Sequence, residues 1–190
     1  MNRKNLPLNA RLAFKGVMYE IWQWDAIMYD GTTEVYECIV RSDSVEIIAI
    51  VGQEILLQRQ MQSDSEEPFL SLPGGRRNEG ESAVDCGKRE LREEMGYQSS
   101  DWSMWRQHEP FRSRMKWNIY TYIARDCKKT AEPSLDSGEK IEELRISFDD
   151  FLLLPDDPAF RNTDLTGPLL KARYDKDERA HLYACLFGDI

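Results

Sequence analysis

The sequence predicts an α+β fold, and three observations about the order of its elements lead to this class. Alternating apolar and polar residues indicate strands on both sides of residue 80. One strong helix, over Ala83 to Met95, lies between them, with Ser82 as its N-cap and Gly96 just after its end. Helical patterns return only from Asp149 onward. This order favours mixed α and β layers over a regular βαβ array.

The part of the chain before the central helix is predicted to be rich in strands. Five strand patterns are present, at residues 17–28, 33–41, 45–51, 54–60 and 69–72. Asp30-Gly31 separates the first two, which indicates a β-hairpin, and Gly52-Gln53 separates the next two. The fifth strand ends at Pro73-Gly74-Gly75, because proline and two glycines interrupt regular pairing.

The part of the chain after the central helix is predicted to contain two strands and three helices. The strand patterns cover residues 117–123 and 141–147. The helical patterns cover residues 149–154, 164–173 and 176–187, and Pro155 and Pro158 separate the first helix from the second.

Composition limits the classes of function that need to be considered. A chain of 190 residues with 41% hydrophobic residues can bury one core, so we expect a single domain over residues 1–190. The net charge of −9 opposes binding to nucleic acid and to anionic membranes. The four cysteines are far apart and favour free thiols in a reducing compartment, and no apolar stretch is long enough to span a membrane. We therefore expect a cytoplasmic protein without nucleic-acid or membrane partners.

Three glutamates of the central helix form the chemically informative cluster. Glu90, Glu93 and Glu94 stand at positions i, i+3 and i+4, so their carboxylates project from one face. Such like-charged pairs cost a helix roughly 0.2–0.5 kcal/mol each, which a bound cation would offset. Oxygen ligands without histidine or cysteine favour Mg²⁺ or Mn²⁺. A solvated acidic face paired with neighbouring lysine and arginine is the alternative.

The residues around this cluster resemble the signature of the Nudix hydrolases. The matching positions are Gly75, Glu81, Arg89, Glu90, Leu91, Glu93, Glu94 and Gly96. Only Tyr97 departs, an aromatic residue where the family usually has an aliphatic one. The resemblance implies an α/β/α sandwich around a mixed sheet. It divides the chain into an N-terminal β-extension at about 1–41, a core at 42–155 containing the signature at 75–97, and a helical tail at 156–190.

The resemblance also implies a divalent metal site that holds Mg²⁺ or Mn²⁺. Glu90 and Glu94 would be direct ligands, and the Gly74 carbonyl would be a further ligand. Glu93 would share a metal or a bound water, which makes it both a metal-site and a catalytic residue. The implied reaction is hydrolysis of a phosphoanhydride bond.

Further catalytic roles follow from the same resemblance. Arg89 and Glu81 would hold the metal-binding carboxylates in place. Glu139, in an acidic loop before a strand, would act as general base or extra metal ligand, with Asp136 as second choice. Either residue could instead be an ordinary turn residue.

The N-terminal segment resembles the β-extension of ADP-ribose pyrophosphatases and related nucleoside-diphosphate-sugar hydrolases. In that branch the extension forms a homodimer, and its aromatic and basic groups help to hold the base. The candidate substrate-binding residues are Tyr19, Trp22, Trp24 and Arg41 of this segment, together with Arg76 and Arg112 near the signature. The three aromatic residues could instead pack the hairpin against the core or a dimer mate, and Arg76 and Arg112 could be ordinary solvated charges. The predicted products are a nucleoside monophosphate and a sugar phosphate. The alternatives are hydrolysis of nucleoside triphosphates or dinucleoside polyphosphates, and a regulator that binds ligand without catalysis.

Overall fold

The computed structural model describes residues 6–63, 65–111, 113–135 and 137–188. Its N-terminal sheet consists of β1 (Arg11–Lys15), β2 (Tyr19–Ile27), β3 (Thr33–Arg41) and β10 (Met115–Lys116), in the order β1-β2-β3-β10. The predicted hairpin is present, because β2 and β3 pair antiparallel around Asp30 and Gly31. Asp30 Oδ1 accepts hydrogen bonds from the backbone N–H and the hydroxyl of Thr32, which closes the turn.

The central sheet has the strand order β13-β5-β4-β11-β9, and two short strands pair at its sides. Its members are β4 (Ser44–Val51), β5 (Glu54–Gln62), β6 (Phe69–Ser71), β7 (Gly74–Arg76), β9 (Asp101–His108), β11 (Ile119–Arg125) and β13 (Glu139–Ile146). The β4–β11 pair is parallel and the other pairs are antiparallel, so the sheet is mixed. A separate short pair joins β8 (Tyr97–Gln98) to β12 (Lys128–Lys129).

The helices are α1 (Ala83–Met95), α2 (Phe148–Leu153), α3 (Thr166–Tyr174) and α4 (Lys176–Phe187). Short 3₁₀ segments cover Leu154–Asp156 and Thr163–Leu165. Across residues 6–63, 65–111, 113–135 and 137–188, no helix is both long and apolar enough to cross a membrane.

Strand β4 separates two apolar clusters, because successive side chains of a strand point to opposite faces. Val45 and Ile47 belong to the cluster that includes Leu91 of α1. Ile48 and Ile50 belong to the cluster that includes residues of α2, α3 and α4. The sheet therefore has helices on both faces. This is the α+β arrangement, with an α/β/α sandwich, that the sequence predicts.

Candidate active site

The ends of α1 are fixed by local contacts. At the start, Ser82 Oγ accepts a hydrogen bond from the backbone N–H of Asp85. At the end, Gly96 has a φ of 75° and lies so close to the chain that an added Cβ would be 2.1 Å from the Ala131 carbonyl oxygen. The N–H of Ser134 also donates to the Glu93 carbonyl at 2.7 Å. The loop that leads toward β13 is thus held against the C-terminal turn of α1.

Arg89 connects three of the signature carboxylates. Its Nε donates to Glu81 Oε1 at 2.9 Å, and its Nη1 donates to Glu90 Oε1 at 2.8 Å and to Glu93 Oε2 at 3.0 Å. Its Nη2 also donates to the Arg76 carbonyl at 3.2 Å. The hydrogen bond from Arg89 lowers the pKa of Glu81, so Glu81 stays ionised at neutral pH. The guanidinium orients the carboxylates and ties α1 to β7.

Glu94 is the most deeply buried carboxylate of the helix, at 7% exposure. Its Oε2 accepts hydrogen bonds from the Gly74 N–H and from Gln58 Nε2, both at 2.9 Å. Burial raises the pKa of Glu94 to about 8, and the charges of Glu90 and Glu139 act in the same direction. The sequence interpretation missed Gln58, because it lies on β5, far from the signature in the chain.

The two glycines of β7 allow close approach of two neighbours, α1 at Gly75 and β4 at Gly74. A Cβ on Gly75 would lie 2.4 Å from Glu90 Oε1, so only glycine leaves room for this carboxylate. Gly74 has a φ of 155°, and a Cβ there would lie 2.1 Å from the Val45 carbonyl oxygen. Burial raises the pKa of Glu90, although Arg89 opposes this shift. The Glu90 carboxylate is therefore held against the strand that carries the Gly74 carbonyl.

Glu139 begins β13 and pairs in register with Gln62 of β5. Its negative charge contributes to the raised pKa values of both Glu90 and Glu94, which places it in the electrostatic neighbourhood of the carboxylate cluster. Asp136, the second choice for general base, lies outside the described residues.

The donor chemistry of this cluster fits a hard divalent cation. Glu81, Glu90, Glu93, Glu94 and Glu139 are acidic. The guanidinium of Arg89 forms ion pairs with Glu81, Glu90 and Glu93. Oxygen donors in negative excess suit Mg²⁺ or Mn²⁺. Within the described part of the chain, no three carboxylate, imidazole or thiol groups already converge as a metal-binding cluster. The residues fit the ion, and in this arrangement Arg89 is paired with Glu90 and Glu93, two of the predicted metal ligands.

Several predicted substrate-binding residues come together where β3 meets β4. The guanidinium of Arg41 lies 4.2 Å from the ring centroid of Trp117 and 5.6 Å from that of Tyr19. Burial lowers the pKa of Arg41, and the charge of Arg76 lowers it further, so the two arginines are neighbours. Phe111 stacks on Trp117 with 6.4 Å between ring centroids. We call this group, formed by Tyr19, Arg41, Arg76, Phe111 and Trp117, the aromatic-cationic surface.

The predicted substrate-binding residues Trp22 and Trp24 lie outside the aromatic-cationic surface. Trp22 is 7% exposed, and its Nε1 donates to Glu20 Oε2 at 3.0 Å. Trp24 packs on Tyr36 with ring centroids 5.1 Å apart. Arg112 lies outside the described residues. The sequence analysis did not name Trp117 or Phe111 among the substrate-binding residues. The basic run that these two aromatic residues flank was the signal that could have drawn attention to them.

Comparison with known protein families shows the family to which the chain belongs. The NUDIX domain matches residues 40–164, about two thirds of the chain. The chain belongs to the Nudix family. It is a Nudix pyrophosphohydrolase, and it carries all three glutamates of the signature helix.

Two relatives align with most of the chain at low identity. One is the methanol dehydrogenase activator of Bacillus methanolicus, 26% identical over 144 residues, which are 73% of this chain and 76% of the relative. Another is the ADP compounds hydrolase NudE of Escherichia coli (strain K12), 23% identical over 173 residues, which are 90% of this chain and 92% of the relative. The crystal structure of an ADP compounds hydrolase superposes with a TM-score of 0.74 at 21% identity, covering 90% of this chain and 94% of that one.

Proposed function

We propose that this Nudix enzyme hydrolyses the pyrophosphate bond of a nucleoside diphosphate joined to a sugar, with ADP-ribose as the preferred type of substrate. The products are a nucleoside monophosphate and a sugar phosphate. The observation that carries the proposal is that the carboxylate cluster and the aromatic-cationic surface share β7. Gly74 and Gly75 of this strand contact Glu94 and Glu90, and Arg76 belongs to the aromatic-cationic surface. The match to an ADP compounds hydrolase supports the substrate class.

The signature residues hold and orient the charges that the reaction needs. Glu90, Glu93, Glu94 and the Gly74 carbonyl would bind Mg²⁺ or Mn²⁺. When bound, such an ion neutralises the pyrophosphate and acidifies water. Arg89 fixes the carboxylate orientations through its hydrogen bonds to Glu90 and Glu93.

Glu139 receives the proton of the attacking water on its carboxylate in this proposal. It lies at the start of β13, and its charge reaches both Glu90 and Glu94. A carboxylate in the electrostatic neighbourhood of the residues that would hold the ion is suited to the role of general base.

The aromatic-cationic surface binds the nucleoside end of the substrate. Tyr19, which is 42% exposed, offers a face on which a base can stack, a contact that contributes about 1–3 kcal/mol per base. Arg41 and Arg76 supply positive charge for the phosphate groups. Trp117 is oriented by its Nε1, which donates to Ser44 Oγ at 2.7 Å.

A substrate panel tests this function. We expect ADP-ribose to give AMP and ribose 5-phosphate in the presence of Mg²⁺ or Mn²⁺, and EDTA to abolish turnover. The panel should include other ADP-sugars, nucleoside triphosphates and dinucleoside polyphosphates, with products identified by mass spectrometry. Preferred release of pyrophosphate from triphosphates, or cleavage of dinucleoside polyphosphates alone, would replace the proposal with the corresponding alternative. Binding of all these compounds without cleavage would indicate a regulator.

We also propose a cytoplasmic homodimer assembled through the N-terminal sheet. The free thiols of all four cysteines are consistent with a reducing compartment. In the paired register of β2 and β3, Ile21, Ile27, Val35 and Ile39 alternate onto one face. Ile27 is 81% exposed and Val35 is 57% exposed. The same face also carries Gln23, Asp25, Thr33 and Glu37, so it is mixed, and its two exposed apolar side chains are the part that suits a second copy of the chain.

The dimer is tested by placing a charge on this face. We expect Val35→Asp to shift the sedimentation coefficient from that of a dimer to that of a monomer, because an unpaired carboxylate at an apolar interface costs several kcal/mol. Leu153→Asp is the matched control, since Leu153 is an exposed leucine of α2, outside the N-terminal sheet. A monomeric wild-type chain, or a dimer that both variants retain, would contradict the proposal.

A further inference from the structure

Three glutamines of β5 lie on the face of the central sheet that α1 covers. Gln58, Gln60 and Gln62 follow Leu56 at every second position, and Leu56 belongs to the apolar cluster that includes Leu91 of α1. Gln58 is fully buried and Gln60 is 7% exposed. Burying an amide costs free energy unless its polar groups are hydrogen-bonded, so the buried glutamines need partners within the protein.

The three side chains form a continuous series of hydrogen bonds that ends on Glu94. Gln62 Nε2 donates to Gln60 Oε1 at 3.2 Å, and Gln60 Nε2 donates to Gln58 Oε1 at 3.2 Å. Gln58 Nε2 in turn donates to Glu94 Oε2 at 2.9 Å. We call Gln58, Gln60 and Gln62 the glutamine ladder. Each of its NH₂ groups donates in the direction of Glu94.

Ser71 supports the middle of the glutamine ladder from the neighbouring strand. It pairs in register with Gln58 across β5 and β6. Its hydroxyl accepts a hydrogen bond from Gln60 Nε2 and donates one to Gln58 Oε1 at 3.3 Å. Ser71 is 7% exposed, so these contacts are shielded from solvent. Because a hydroxyl both donates and accepts, it fits between the two amides in the direction that the ladder has.

The direction of the glutamine ladder is set at Glu94. Glu94 Oε2 also accepts from the Gly74 N–H, and an ionised carboxylate can only accept hydrogen bonds. Gln58 must therefore present its NH₂ group to Glu94 and its carbonyl oxygen to Gln60. The same choice then applies to Gln60 and Gln62. A flipped amide at one position would place two oxygens or two NH₂ groups against each other, so the network favours one arrangement.

The glutamine ladder directs one oxygen of Glu94 toward a ligand. Among the described residues, the side-chain hydrogen bonds of Glu94 both end on Oε2. Oε1 is therefore the oxygen that Mg²⁺ or Mn²⁺ would take, and the donors on Oε2 oppose rotation of the carboxylate. A ligand that is already held in its bound orientation loses less conformational freedom when the ion binds, which raises the affinity.

The other end of the glutamine ladder lies beside the proposed general base. Gln62 pairs in register with Glu139, and directly opposed residues of antiparallel strands have their side chains on the same face of the sheet. The ladder therefore extends along β5 from the neighbour of Glu139 to the carboxylate of Glu94. It connects these two parts of the site through neutral amides.

We propose that the glutamine ladder and Ser71 position Glu94 for a divalent ion, and that Gln60 and Gln62 act on ion affinity through Gln58. This inference rests on the proposed function, because it concerns the metal site of the same enzyme. The three glutamines are positioning residues, since they contact neither the substrate nor the ion in this proposal.

Methionine substitutions along the ladder test this role, because methionine has a similar length and lacks the amide. The dissociation constant for Mn²⁺ is measured by electron paramagnetic resonance on the full-length protein without substrate, so no turnover is needed. We expect Gln58→Met to raise this constant by about 10- to 100-fold, the range for losing a hydrogen bond to a charged group. Gln60→Met should raise it by about 2- to 12-fold, the range for a neutral hydrogen bond, and Gln62→Met by less.

A double variant separates positioning from packing. If Gln60 acts through Gln58, Gln60→Met should have no further effect on the Mn²⁺ dissociation constant in a Gln58→Met background. Should Gln58→Met fail to fold, the same comparison uses Gln60→Met and Gln62→Met, because Gln62 acts through Gln60. Gln107→Met is the matched control, since Gln107 is an exposed glutamine of β9 that donates to Asn118 Oδ1. Its affinity for Mn²⁺ should equal that of the wild type.

The outcomes distinguish this inference from the proposed function. Unaltered Mn²⁺ affinity in Gln60→Met, or losses that add in the double variant, would overturn the ladder and leave the proposed hydrolysis intact. A wild-type chain that binds no Mn²⁺ would overturn both. Graded Mn²⁺ affinities without cleavage of any compound in the substrate panel would refute the proposed function and support the ladder.

Discussion

Glu94→Gln is expected to lower the kcat for ADP-ribose by about 10²–10³-fold, the loss typical when a group that stabilises transition-state charge is removed. The substitution deletes one negative charge from the carboxylate cluster. It keeps the shape and one oxygen that can accept from the Gly74 N–H and from Gln58 Nε2. The position of α1 against β7 should therefore persist. Steady-state kinetics over a range of Mg²⁺ concentrations measures the effect.

The stability of the same variant should depend on pH in a defined direction. The ordinary pKa of a glutamate is 4.5, and burial raises that of Glu94 to about 8 in the folded protein. Between these values the folded state holds a proton more tightly than the unfolded state does, so wild-type stability falls as the pH rises. The glutamine variant has no such loss. In metal-free buffer its Tm should match that of the wild type near pH 4.5 and exceed it increasingly toward pH 8.

Glu66→Gln is the control for both measurements, since Glu66 is an exposed residue of the loop after β5. Its kcat and Tm should equal those of the wild type. A Glu94→Gln enzyme with wild-type kcat would show that Glu94 has no catalytic role. A lower Tm at pH 8 would show that the carboxylate stabilises the fold.

The carboxylate cluster could be predicted from sequence because its parts are local in the chain. Helical spacing alone places Glu90, Glu93 and Glu94 on one face, and Ser82 and Gly96 mark the helix ends that the structure has. Arg89 reaches Glu90 and Glu93 from the same helix, so its contacts also lie within one turn. The predicted roles of these residues remain proposals, but their proximity follows from local geometry.

The other contacts around the site depend on the packing of segments that are distant in the chain, and local residue patterns do not encode such packing. Gln58 meets Glu94 across 36 positions of the chain, and Glu46 meets Asp164 only after β4 and the 3₁₀ segment have packed together. Strand β9 was not predicted for a different reason. Its register with β11 shifts between Arg106 and Met104, so Trp105 is an extra residue that breaks the alternation expected of a strand.

Arg89→Met is expected to destabilise the protein and to lower turnover together. The methionine retains much of the apolar stem but loses the hydrogen bonds to Glu81, Glu90 and Glu93. Their carboxylates then repel one another without a compensating cation. The Arg89 side chain is 27% exposed, so we expect a loss of about 1–3 kcal/mol, below the 3–5 kcal/mol typical of a fully buried pair. The corresponding fall in Tm is about 2–12 °C for a chain of this size.

The matched control is Arg92→Met, which removes an exposed arginine of the same helix and should change stability by less than about 0.5 kcal/mol. Arg89→Lys should be intermediate, because an ammonium keeps the charge and loses the planar fork that bridges the carboxylates. Arg89 holds the pKa of Glu81 below its usual value of 4.5. The stabilisation of the folded state by this ion pair is therefore present above pH 4.5 and is lost on acidification. The difference in Tm between wild type and Arg89→Met should therefore narrow below pH 4.5. A constant difference would show that the Glu81 contact does not account for the stabilisation by Arg89, and a variant with wild-type Tm and kcat would mean that Arg89 is a surface charge without a positioning role.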